Sequence, residues 1–94
     1  MATTEDDDMP MAATVQVEIV VRALRRIRPS VYQISREADR TSITLTAVAS
    51  AAGRRNAATR IVAALTDGGI AVVADDPIGE LARGACLVLT HQPR

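Results

Sequence analysis

Residues 42–50, SITLTAVAS, constrain the fold more than any other stretch of this chain. Ile43, Leu45, Ala47 and Ala49 alternate with Ser42, Thr44 and Thr46, and β-branched side chains in a period of two favour a strand. The residues that follow, AAGRRNAATRIVAALTDGG, have the alanine content of a helix. Ser50 stands where an N-cap belongs, and Gly68 and Gly69 stand where a helix would stop. The spacing therefore predicts a strand running into one helix that begins at Ala51 and ends near Asp67. Gly53 costs such a helix about 1 kcal/mol relative to Ala, a loss its first turn can bear.

Around this pair the rest of the chain can be placed. Residues 14–28, TVQVEIVVRALRRIR, are predicted to form a helix stopped by Pro29. Val17, Val20, Val21, Leu24 and Ile27 make its apolar stripe, and Glu18, Arg22, Arg25 and Arg26 its wet face. Val15 and Ile19 fall beside the charged face and are expected to offer an apolar edge to a partner. The alternation Val15, Val17, Ile19, Val21 also permits a strand. SVYQIS (residues 30–35) is a short β-rich run, joined to the alternating stretch through the hairpin residues EADRT. IAVVAD (residues 70–75) is expected to be a strand covered on both faces. In DPIGELARG, Asp76 would cap a single helical turn, with Pro77 at its first position and Gly84 at its end. ACLVLTHQ (residues 85–92) is the last strand.

The expected fold class is thus α+β, helix-hairpin-helix-hairpin (αββαββ), with a four-stranded antiparallel sheet and helices on one face. The two halves echo each other: VVRAL and IVAAL in the helices, SITLT and CLVLT in the strands.

Composition narrows the class of work. The 94 residues suit one small domain over 13–94, preceded by an acidic leader over 1–12 that is expected to be disordered. There is no Phe or Trp and one Tyr, so the core must be aliphatic and few rings are available to stack on bases. A small domain with such a core is expected to gain stability as a homodimer. Every basic side chain is Arg, a usage that suits a GC-rich actinobacterial or phage genome. Net charge is zero, but Glu5, Asp6, Asp7 and Asp8 sit together in the leader. The remainder carries eleven arginines against seven acids, a net +4. The single Cys86 rules out an internal disulfide, and no apolar run approaches membrane-spanning length. A cytoplasmic protein is expected.

From Leu45 onward, LTAVASAAG, RRNAATRIVAAL and TDGGIAVVADD together resemble the core of a winged helix-turn-helix domain, a family common among bacterial transcription regulators. The resemblance spans residues 45–92. Leu45, Val48, Ala49 and Ala52 have the i, i+3, i+4, i+7 spacing of a first short helix. It implies a turn at Gly53, a recognition helix over residues 54–65 and a wing built from the last two strands. It further implies double-stranded DNA as partner, contacted by Arg54, Arg55, Asn56, Thr59 and Arg60, with Arg25, Arg26 and Arg28 assisting. The sequence departs from the family pattern at Arg54 and Thr59, where hydrophobic residues are usual.

Catalytic chemistry is not expected. One His and one Cys, at odd spacing on a strand, cannot assemble a nucleophile pair or a zinc site. No glycine-rich phosphate loop precedes a helix. Neither cofactor nor metal is implied. The expectation is a small non-enzymatic regulatory binding protein, DNA-binding through the helix that starts near Arg54. The alternative is a protein-protein interaction module: a dimeric adaptor, an inhibitor or a phage-type effector acting on a host protein. Its surface would be the Val15 and Ile19 edge together with a threonine-lined sheet face bearing Thr44, Thr46, Val88 and Thr90.

Overall fold

The computed structural model describes residues 15–37, 39–46 and 48–92, so the expected leader and the first expected helical residue lie outside the described part. The order of elements is helix α1 (Val17–Ala23), a 3₁₀ turn (Pro29–Val31), strand β1 (Tyr32–Glu37), strand β2 (Arg40–Leu45), helix α2 (Ala51–Asp67), strand β3 (Ile70–Val73), helix α3 (Pro77–Ala82) and strand β4 (Leu87–His91). The chain is an α+β domain with one four-stranded sheet, in the order β1-β2-β4-β3, and every neighbouring pair is antiparallel.

The described residues on either side of position 47 take the single-helix form. β2 ends at Leu45, and Ser50 caps α2 by accepting a hydrogen bond from the Gly53 amide at 3.0 Å. Gly53 lies inside the first turn of one helix of 17 residues. Two helices meeting at Gly53 are therefore not what these residues form. The physical reason is local: a β-branched alternation commits residues 43–45 to the sheet, and the serine cap then fixes the start of the helix. The expected stop at Gly68 and Gly69 is also where α2 ends. Asp76 caps α3 as its sequence predicts, accepting from the Gly79 amide at 3.2 Å.

β2 and β3 run parallel to each other on either side of β4, so β2-α2-β3 is a split crossover with the last strand inserted between its ends. On one sheet face lie Thr41, Ile43 and Leu45 of β2 with Leu87 and Leu89 of β4. These pack with Val20 and Leu24 of α1, Ala58, Ile61 and Leu65 of α2, and Leu81 of α3 to make an aliphatic core. Ser35, Thr44, Val88, Thr90 and Val73 fall on the other face by alternation.

Three expectations are corrected. The first helix spans Val17–Ala23 rather than residues 14–28, ending well before Pro29, and its buried side is rotated from the expected stripe. Val15, Val20 and Leu24 have no exposed surface and Ile19 packs against the core, whereas Val21 is 48% exposed. Val15 is drawn inward because its carbonyl accepts a hydrogen bond from the buried Thr41 hydroxyl. β3 is not covered on both faces: it is an edge strand, and Val73 is 57% exposed. The threonine row is also shorter than expected. Thr46 binds back to the turn before β1, donating its hydroxyl to the Ser30 carbonyl at 2.9 Å and its amide to that of Val31 at 2.7 Å.

Candidate nucleic-acid interface

The five polar residues expected on the DNA-facing helix all lie in α2, but they do not act alike. Arg54 is turned inward. Its Nε donates to the Ala82 carbonyl at the end of α3, and its Nη1 donates to the Val48 carbonyl at 3.0 Å. A Cβ on Gly84 would lie 3.2 Å from Arg54 Nη2, and the Gly84 backbone has a φ of 94°, so glycine suits both the turn and the passing guanidinium. Arg54 is thus a half-buried tether that ties the first turn of α2 to α3 and to the approach from β2. Two of its five N–H donors are thus held by backbone carbonyls, which gives Arg54 a structural role beside the expected one. Sequence inspection could not supply this, because the Ala82 carbonyl lies 28 residues away along the chain.

Arg55, Asn56, Thr59 and Arg60 are exposed. Thr59 donates its hydroxyl to the Arg55 carbonyl one turn earlier, at 2.8 Å, which leaves the oxygen lone pairs able to accept. Asn56 and Arg60 are four residues apart and share one side of the helix.

Arg60 also faces the chain that leaves α1. Together with Arg26 and Arg28 it lines a groove of about 210 Å³ whose remaining walls are Ile27, Val31 and Ala57. Among the described residues, no acidic side chain lines it. The ion pairs among those residues are those of Arg40 with Glu37 and Asp39, so the three groove arginines have no described carboxylate within 4.0 Å. A second groove, about 280 Å³, continues along the α1–α2 seam past Ala23, Arg25, Arg26, Ala64, Asp67 and Gly68. Here the two helices meet closely: a Cβ on Gly68 would come within 2.8 Å of that of Ala23. Arg25, Arg26 and Arg28 lie on the segment that follows α1.

Of the residues expected on a protein-binding surface, Thr44 and Val88 lie on the open sheet face and are half-buried. Val15, just before α1, and Ile19 within it belong to the core side, and Thr46 is bound to the turn before β1. The contribution of Ile27, Val31 and Ala57 to an arginine-rimmed groove was not apparent from the sequence, because their meeting depends on how α1 crosses α2. Among the described residues, no group of three or more His, Cys, Asp or Glu side chains gathers on a metal-sized site. No helix among them is long and apolar enough to cross a membrane.

No protein-family model matches this chain, and neither a curated protein nor a solved structure shows significant similarity to it.

Proposed function

We propose that this is a small non-enzymatic regulatory protein that binds nucleic acid, double-stranded DNA first, through the outer side of α2 and the end of α1. The observation that carries the reading is the groove lined by Arg26, Arg28 and Arg60, which have no acidic partner among the described residues. Guanidiniums without such a partner on a helical surface suit phosphate oxygens, which they grip in a bidentate manner. Asn56 and Arg55 lie close along the same helix and have the chemistry to reach base edges. Arg54 has no part in the contact. The affinity is expected to be modest and dominated by phosphate, since the chain has no Phe or Trp and one Tyr with which to stack on bases.

The test is a gel shift or anisotropy titration on random-sequence duplex at low and moderate salt. Binding at low salt that weakens steeply with added salt supports the reading, and loss of that binding in Arg60→Ala locates it. Removing residues 1–8 takes away four acids and should tighten binding, most at low salt where charges are least screened. A full-length protein and a leader-less one that both fail to bind at low salt would remove the proposal.

A second reading, a protein-interaction module, draws on the open sheet face. There Val73, Val88, Thr44 and Thr90 form a surface with little charge, and the 57% exposure of Val73 is the unusual feature. A homodimer joined through this face would appear as concentration-dependent sedimentation at micromolar protein, reduced by Val73→Glu. A monomer at every concentration would leave this reading without support.

A further inference from the structure

The two grooves along the α1–α2 seam differ in charge more than in size. The one beside Gly68 sets Arg25 and Arg26 against Asp67. The one beside Val31 has three arginines and, among the described residues, no acid, over a floor of Ile27, Val31 and Ala57. Positive charge is therefore concentrated at one place on the seam and partly offset at the other. A phosphodiester in a continuous strand brings one negative charge per phosphate. A terminal phosphomonoester brings about −1.5 to −2 at neutral pH and three strong acceptor oxygens. Three arginines around one groove are better matched by the second group. The cavity is also too large for the phosphate alone: about 210 Å³ would hold roughly seven waters at ~30 Å³ each. The apolar floor leaves space for the ring or sugar that carries the phosphate.

We propose that the groove of Arg26, Arg28 and Arg60 is a site for a terminal phosphomonoester, borne either by a free nucleotide or by the end of a nucleic-acid strand. Arg26 and Arg28 approach from the chain leaving α1, and Arg60 closes the site from α2. Ile27, Val31 and Ala57 receive the attached sugar or ring. The strand-end form of the ligand rests on the nucleic-acid reading of this surface, and the free-nucleotide form does not.

The experiment uses the full-length chain and four probes: a nucleoside 5′-monophosphate, its parent nucleoside, and a short single strand with either a 5′-phosphate or a 5′-hydroxyl end. Binding is followed by calorimetry for the nucleosides and by anisotropy for the strands. The monophosphate should bind and the nucleoside should not. The phosphorylated strand should bind at least about tenfold more tightly than its hydroxyl twin, the scale expected of charge-assisted hydrogen bonds. Arg60→Ala and Arg28→Ala should each abolish that difference. Arg60→Lys should reduce it, because a point charge replaces a planar fork. Arg83→Ala, at the far end of α3, should leave it intact. An unchanged circular dichroism spectrum in Arg60→Lys separates loss of binding from loss of fold. Strands that bind equally with and without the end phosphate, together with a monophosphate that does not bind, would overturn the inference and leave the strand-binding reading standing. A monophosphate that binds while neither strand does would support the inference in its free-nucleotide form and overturn its strand-end form. Silence from all four probes would overturn the inference.

Discussion

Arg54 and Arg60 lie on the same helix, about 9 Å apart along its axis at 1.5 Å per residue, and have opposite surroundings. Arg54 gives two of its five donors to backbone carbonyls that belong to other parts of the fold. Arg60 has no carboxylate within ion-pair distance among the described residues and faces two more arginines across a groove. The N-terminal turn of α2 is a joint, held by the Ser50 cap and the Arg54 tether. The middle of the helix is an exposed charged surface. Identical side chains less than two turns apart thus differ in their surroundings according to which carbonyls lie within reach.

Four substitutions can break or sharpen that division. Arg54→Ala should have the largest effect on stability, about 2–3 kcal/mol, because it removes charge-assisted bonds to two carbonyls. Chemical denaturation would measure it, and a change below about 0.5 kcal/mol, the scale of an ordinary surface substitution, would mean that Arg54 is not a tether. Gly68→Ala should cost about 1–2 kcal/mol, since the new methyl would press on Ala23 and force α1 away from α2. The same displacement should weaken anion binding at the seam, so a variant that is destabilised but binds normally would separate the groove from the α1–α2 packing. Ser50→Ala should cost about 1 kcal/mol by removing the cap and leave binding unchanged. Arg60→Ala should change stability least, within about 0.5 kcal/mol, as expected of an exposed residue with no described carboxylate partner, while reducing binding.

The joint and the surface were not equally legible in the sequence. The start of α2 could be read because three signals agree: alternation stops, a serine cap follows, and alanines begin. The cap of α3 at Asp76 was legible for the same reason. The buried side of α1 was not. Apolar residues occupy Val15, Val17, Ile19, Val20, Val21, Ala23, Leu24 and Ile27, so more than one stripe fits helical spacing. The phase is set by a bond from Thr41 to the Val15 carbonyl, 26 residues apart. Thr41→Val, which would strand that carbonyl, should cost about 1–3 kcal/mol. The edge position of β3 was hidden by its own hydrophobicity, since IAVVA reads like a central strand and only long-range pairing puts β4 beside β2 instead. The tether role of Arg54 was hidden as well, because the carbonyls of Val48 and Ala82 that it reaches are set by the fold.

The most direct test of the division between tether and exposed surface is the salt dependence of duplex binding by the native chain, Arg60→Ala and Arg54→Lys. Removing one side chain that grips a phosphate should lower the slope of log affinity against log salt by about one. Arg60→Ala should therefore show a shallower slope and Arg54→Lys the native slope. A native slope in Arg60→Ala, or a shallower one in a folded Arg54→Lys, would contradict the placement of binding at the seam of α1 and α2.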